Sequence, residues 1–324
     1  ESPKNEMIIT SLLSSTKDNS IQKIQNNPNK TKKKLFLNQN LPNANNIKNN
    51  INNNTNNEDS SKKSPQKKII KLPNNAIYEG YIINNEFDGY GEYRSPSYNY
   101  YGYFSLGKKN GKGKLEDFVQ KLEYIGDFKD NMKEGFGEEK YQDGSKYIGQ
   151  FKQNMKNGKG NLILDGDKCY GYSGMFKNDK IAGKGKFKWS EDKQYIGEWD
   201  NDEISGYGIL HEGKIIRIGT FQHDLKEGYG TMFYTDQNCA LLGKWEKNFM
   251  EGYAILINLD EKNNVENNGI IVGMNKGEIS NVSLDEDELN KFKESKDYKK
   301  MMTLFEEKYY GDYIKYINNE KNDE

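Results

Sequence analysis

The sequence predicts an all-β protein: an elongated, single-layer sheet of about eight stacked hairpins, preceded by a disordered or extended N-terminal arm and followed by a C-terminal amphipathic α-helix. Three observations predict it. Glycines recur 22 to 25 residues apart, a second glycine follows each at an offset of nine, and large rings stand two residues to either side of the first. The first column is Gly80, Gly102, Gly126, Gly149, Gly174, Gly197, Gly219 and Gly243; the second is Gly89, Gly111, Gly135, Gly158, Gly183, Gly206, Gly228 and Gly252. A third glycine column, two residues further on, runs from Gly91 to Gly230, with Ala254 in the last unit. Tyrosine precedes the first glycine from Tyr78 to Tyr195 and gives way to Arg217 and Leu241, while Phe or Trp follows it from Phe104 to Trp245, with Ile82 in the first unit.

Period-2 spacing turns these columns into strands. Tyr147, Gly149 and Phe151 share one face, and the glycine between two rings leaves a gap that a neighbouring strand or ring can enter. QNMKNG, like KDNMKEG and GKKNG, supplies turn residues before a second strand begins near Gly158, on which Gly158, Gly160 and Leu162 share a face. Asp143-Gly144 and Asp165-Gly166 connect one hairpin to the next. A lone hairpin is marginal in water, so the Tyr/Phe face requires stacking of neighbours. Sixteen strands from eight hairpins extend on the order of 75 Å at about 4.8 Å per strand, which separates Cys169 from Cys239 by roughly 29 Å, beyond disulfide reach.

The phrase YIGQFKQNMKNGKG, with YIGDFKDNMKEGFG and YIGEWDNDEISGYG, resembles the MORN repeat, Tyr-x-Gly-x-Trp/Phe followed by a turn and Gly-x-Gly. The likeness covers residues 78 to about 256. Arg217, Leu241 and Ala254 depart from the pattern and mark units seven and eight as a bend or a cap. Asn267 to Ile279 looks like a truncated ninth unit. The resemblance implies an interaction module; some relatives carry a kinase or methyltransferase domain beside such repeats, and no stretch here is long enough to hold one.

Composition narrows the function classes. Hydrophobic residues make up 33% of the chain, so the core must come from its 23 tyrosines and other rings. Charge is unevenly distributed: residues 1–77 hold 13 Lys against 5 acids, whereas 78–282 and 283–324 are both net acidic, so anion-seeking activity belongs to the arm. Cys169 and Cys239 lack metal-ligand or disulfide spacing, which favours a reducing compartment. No apolar run is long enough to cross a membrane, and the chain starts at Glu1 without a methionine, as a fragment would.

Catalytic patterns are absent by the same reading. Gly111 to Lys114 and Gly183 to Lys186 read Gly-Lys-Gly-Lys, but neither continues into a nucleotide loop, and the repeat explains both as backbone devices. His211 and His223 fall in adjacent units without recurring partners and read as surface or loop residues. Acid pairs such as Glu138/Glu139 and Glu306/Glu307 read as solvated. No catalytic residue, metal, cofactor or small-molecule substrate is expected.

The organisation that follows is a basic Asn/Lys-rich arm over residues 1–77, a repeat sheet over 78–282 and a helical cap or docking segment over 283–324. The arm has 19 Asn and Lys runs at Lys32 to Lys34, Lys62 to Lys63 and Lys67 to Lys68, with too little apolar surface to fold alone. Its small apolar groups, Ile8/Ile9/Leu12/Leu13, Leu35/Phe36/Leu37 and Ile69/Ile70, suit an extended anchor. In the tail, Ser283 and Glu286 form a capping box and Leu289, Phe292, Tyr298, Met301, Met302, Phe305 and Tyr309 a helical stripe, predicting a helix from Leu284 to Tyr310 stopped by Gly311. That stripe either covers the open end of the sheet or docks a partner.

The function expected is a non-enzymatic scaffold for other proteins of a large assembly. Partner-binding candidates are the Gly-x-Gly tyrosines Tyr90, Tyr207, Tyr229 and Tyr253, the tail residues Phe292, Met301 and Phe305, and Lys67 and Lys68. Similarity to MORN-containing radial spoke head proteins implies a cytoplasmic, cytoskeletal setting, the ciliary or flagellar axoneme. The alternative is an anionic phospholipid tether acting through the basic arm, as the resemblance to junctophilin-type MORN proteins implies. Nucleic acid is not an expected partner, because the Lys runs lack interleaved aromatics.

Overall fold

Among the described residues, nine two-residue turns set the architecture. Asn84-Asn85, Leu106-Gly107, Asp130-Asn131, Gln153-Asn154, Asn178-Asp179, Asn201-Asp202, His223-Asp224, Lys247-Asn248 and Lys276-Gly277 all hold both residues at φ between 48° and 81°. This is the type I′ geometry whose twist matches a β-hairpin, and Asn, Asp and Gly supply it at least steric cost. The computed structural model describes residues 65–165, 168, 170–265, 269–281 and 285–323. Most of the arm, including Lys32 to Lys34 and Lys62 to Lys63, lies outside the described residues, as do Cys169 and Ser283.

Each turn joins two antiparallel strands, giving a mostly β protein built as an open antiparallel sheet of hairpins. The chain divides into two compact units, the first ending at Ile181 and the second beginning at Ala182. The first is described from Pro65 and the second from Ala182. In the first, strands follow one another in chain order from Gln66–Lys71 to Tyr170–Lys177. The second runs from the strand ending at Ser190 to Glu278–Asn281, the ninth hairpin foreseen in Asn267 to Ile279, and continues into three helices.

Gln66–Lys71 is a strand where the sequence reading places arm. It pairs in register with Ile77–Ile83, Lys68 opposite Gly80. Its side chains are nearly all exposed, so backbone hydrogen bonding to an otherwise open edge holds it. That leaves no alternation of burial for sequence to show.

The three glycine columns have different causes. The second column, Gly158 with φ 97° among them, is left-handed at every described position. It lies in a bulge: the pairing jumps from Gly149↔Gly160 to Phe151↔Lys156, so the second strand carries extra residues there. The first and third columns instead make room for the unit's own tyrosine. A Cβ on Gly149 would stand 2.5 Å from the Tyr147 hydroxyl, and one on Gly160 would strike the same ring. The ring that fills the gap is therefore intramolecular to the hairpin, not a neighbour's.

Those tyrosines and the following aromatics interlock edge to face. Tyr100 meets Phe128 at 5.1 Å and 86°, Tyr124 meets Phe151 at 5.0 Å and 87°, and Tyr147 meets Phe176 at 5.0 Å and 82°. Opposed quadrupoles favour this arrangement beyond the area it buries. In the second unit Tyr195 stands between Trp199 and Phe221 in the same way.

Where the tyrosine is missing, another side chain fills the glycine gap. In the unit with Arg217, the ammonium of Lys226 would lie 2.8 Å from a Cβ on Gly219 and donates to the Ile218 carbonyl at 2.8 Å. With Leu241 in place of tyrosine, Met250 packs against Gly243, its Cγ 2.6 Å from where a Cβ would be. Leu241, Met250 and Ala254 join an aliphatic core with Cys239, Leu256 and Val272.

The tail differs from its expectation in three ways. Its first helix, α1 (Glu286–Glu294), is capped by Asp285, whose carboxylate accepts from the Glu288 N–H at 2.8 Å. Ser295 breaks the run and caps α2 (Lys296–Leu304), taking the Tyr298 N–H at 3.1 Å. A π-turn at Phe305–Tyr309 leads into α3 (Tyr310–Asp323), which passes through Gly311. One glycine costs a helix only about 1 kcal/mol, and Tyr309, Tyr313 and Tyr316 are buried around it.

Candidate functional site

The ring-bearing face is chemically closed. Tyr78, Tyr100, Tyr124 and Tyr147 donate to the carbonyls of Tyr81, Tyr103, Asp127 and Gln150 at 2.8, 2.9, 2.9 and 3.0 Å, each three residues on. Burial pushes the Tyr78 hydroxyl up to about 12 and its equivalents higher still. Lysines fill the same row two positions after the turns. Lys109 packs over the rings of Tyr98 and Tyr100, at 4.6 and 5.4 Å, and burial brings its ammonium down to about 8. Lys226, between Phe221 and Trp245, is held well below the ordinary lysine range by burial and by Arg217. Glu139 binds Lys133 and lies 3.7 Å from Lys156; burial pushes this carboxyl up, but the two ammoniums and the Tyr141 hydroxyl outweigh that and hold it low.

The opposite face carries the middle residues of Gly-x-Gly, because alternation turns them away from the rings. In the second unit the tail lies across it. Ile216, Ile218, Phe233, Leu242, Ile255 and Ile257 form one core with Phe292, Met301, Phe305, Tyr309, Tyr313 and Tyr316. The Tyr207 hydroxyl donates to Asp312 at 2.6 Å while the Lys308 ammonium stands 3.4 Å over its ring. Tyr229 repeats the arrangement, donating to Asp297 at 2.5 Å beneath Lys300 at 4.6 Å. The bond to Asp297, then burial, raises the Tyr229 hydroxyl to about 12. Tyr253 meets Phe292 at 4.8 Å.

A polar clasp ends the tail. Gln194 donates to Tyr316 and to Glu320, both at 2.6 Å, and Tyr316 meets His211 Nδ1 at 2.9 Å. His211 Nε2 contacts the Gly213 carbonyl at 2.7 Å, which requires that nitrogen to donate and leaves Nδ1 to accept from Tyr316. His211 thus fastens helix to sheet, whereas His223 is a turn residue 2.9 Å from Glu203.

In the first unit the same face is open. Tyr90 is 46% exposed, Tyr103 51%, Ile125 48% and Phe136 57%, and Tyr81 is also exposed. Of the sequence-predicted candidates, Tyr90 stands here, while Tyr207, Tyr229 and Tyr253 meet Phe292, Met301 and Phe305 within one core. Lys67 is 3.3 Å from Glu79 on the exposed edge, and Lys68 is exposed beside it. Sequence reading missed the tail's Asp297/Lys300 and Lys308/Asp312 pairs, which their one-turn spacing could have signalled. Among the described residues no cluster of three or more His, Cys, Asp or Glu is placed to hold a metal ion, and no helix is long and apolar enough to cross a membrane.

Tyrosine-glycine hairpins repeated along the sheet, one face closed by rings and the other open in the first unit and covered by the tail in the second, define a repeat-built module. Seven stretches match the MORN repeat: residues 78–99, 100–117, 124–146, 147–164, 172–192, 195–211 and 218–239. The chain carries seven MORN repeats, a class of module that mediates protein or membrane interaction. It is also 35% identical to Alsin of Rattus norvegicus over 75 residues, 21% of this chain and 4% of that protein's length.

Proposed function

We propose that the protein is a non-enzymatic scaffold whose open sheet face, in the unit of residues 65–181, holds other proteins of a large cytoskeletal assembly. One observation carries the reading: Tyr81, Tyr90, Tyr103, Ile125 and Phe136 expose large apolar groups on a sheet whose other face is stiffened by interlocked rings. Large exposed apolar groups on a rigid support, two clusters separated by the Lys112/Lys114 strand, mark an interaction site. The axoneme is the setting we propose, from the resemblance to radial spoke head proteins, and localisation of the tagged chain in ciliated cells tests it. For the scaffold itself, a photocrosslinking residue at Phe136 in native extract should capture discrete protein bands. Capture of lipid alone, or of nothing, would overturn the reading.

The second reading, a tether to anionic phospholipid, has Lys67, Lys68 and Lys71 on the exposed first strand in its favour. Salt-sensitive flotation with phosphoinositide vesicles that disappears when residues 1–77 are removed would support it, and no flotation would dismiss it.

A further inference from the structure

We propose that Tyr81, Tyr90 and Tyr103 form a second helix-reading surface, whose occupant is an amphipathic helix of a partner protein carrying an aspartate and a lysine one turn apart beside an apolar stripe. The inference rests on the scaffold reading and names the chemistry of its partner.

The chain shows twice how its sheet reads a helix. Tyr207 and Tyr229, each between two glycines, are both met by a carboxylate at the hydroxyl and an ammonium over the ring. The two helical pairs are Asp297 with Lys300 and Lys308 with Asp312, so spacing of three or four residues and either order suffice. Alternation turns each of these tyrosines to the face opposite the ring row, where a helix can reach it. Its ring therefore lies open to a cation and its hydroxyl to an acid.

Tyr90 stands in the same column between Gly89 and Gly91, and its pairing partner Tyr103 meets it edge-on at 5.8 Å. Tyr81 lies beside Gly89, whose added Cβ would touch its Cβ at 3.5 Å. On Tyr90's own strand and face, Asp88 and Glu92 flank it by two residues on each side. An arriving lysine over Tyr90 would find the Asp88 carboxylate, which accepts the Leu106 N–H, while Glu92 is already paired with Arg94; the local charge of Asp88 favours the cationic half of the pair. The hydroxyls of the row supply donors for the acid. An apolar stripe on the helix would then cover Ile125, whose column equivalents Ile218 and Leu242 lie under the tail.

The test uses the full chain, its own tail in place, with a fluorescent synthetic peptide of residues 285–323 as the probe in trans. Saturable binding is expected, weakened at least about tenfold by Tyr90→Ala with Tyr103→Ala in the protein, as for aromatic anchors. The same loss is expected from Lys300→Glu with Lys308→Glu in the peptide. His223→Ala, at a turn away from both helix sites, should leave binding unchanged. No saturable binding, or binding that falls with Tyr229→Ala but not with Tyr90→Ala and Tyr103→Ala, overturns the proposal, the latter by showing exchange at the chain's own helix site. Should the peptide fail while photocrosslinks at Phe136 persist, the helix code is wrong and the scaffold stands; failure of both removes the scaffold as well.

Discussion

The units of residues 65–181 and 182–323 are built from one repeat and finish it oppositely. Ile125 in the first is 48% exposed, whereas Ile218 and Leu242, its column equivalents in the second, are at 0% and 1%. The strands say why. LEYIGDFK alternates in and out, as a strand with one wet face does, but IIRIGTFQ, CALLGKWE and FMEGYAILIN carry apolar residues on both faces. The comparison teaches that the hairpin needs only its ring row to form, and that the second face is a free variable which the sequence assigns either to the chain's own tail or to something else.

Removing residues 285–323 should break that comparison most strongly. Losing cover from six large side chains costs on the order of 10 kcal/mol. Hydrogen exchange should then collapse over the strands of residues 215–258 and stay unchanged over 77–176; equal loss in both would refute independent finishing of the units. Phe305→Ala should cost about 3 kcal/mol in denaturant melts, and Phe136→Ala close to nothing, since only the first leaves a cavity.

A titration sharpens the contrast inside the ring row. Lys109 is lowered to about 8 in the fold, so below that pH both states carry the proton and its burial penalty is constant. Between about 8 and 10.5 the unfolded chain holds more protons, and stability should rise with pH by about 2 kcal/mol. Lys109→Met should flatten this slope. The window closes near pH 10, where tyrosines of the unfolded chain ionise while burial keeps those of the ring row protonated, which turns stability downward. The smallest effect concerns single hydroxyls: Tyr207→Phe loses its bond to Asp312 and should cost about 1 kcal/mol, while Tyr90→Phe should leave thermal stability as it was.

Much of the fold was legible because its causes are periodic. The columns around Gly149 gave the hairpins, and Asn267 to Ile279 announced the ninth. The sharper features were not periodic in the same way. Lys226 and Met250 read as ordinary strand residues until the missing tyrosines at Arg217 and Leu241 show what gap they fill. Gln66–Lys71 pairs through backbone alone, a cause that leaves no imprint on side chains. In the tail, the apolar stripe was plain and masked the local cap at Ser295, while the passage through Gly311 goes with tyrosines buried against the sheet. Of the candidate site, Tyr90 and its column were visible as Gly-x-Gly tyrosines; which of them the tail occupies is a tertiary fact.

The turns carry one more consequence. Asn131 takes the Lys109 N–H through its side chain at 2.8 Å, Asn154 does the same for Lys133 and Asp179 for Lys156, and each returns its own N–H to that residue's carbonyl at 3.0 Å. These turns, and those at Asp224 and Asn248, thus staple the hairpin before them. The module that evolution can copy or discard is accordingly the interval between staples and not the hairpin itself. Excising residues 132–154 would join Asn131 to Met155 and hand Lys156 the station of Lys133, shortening the array by one member with every fastening intact.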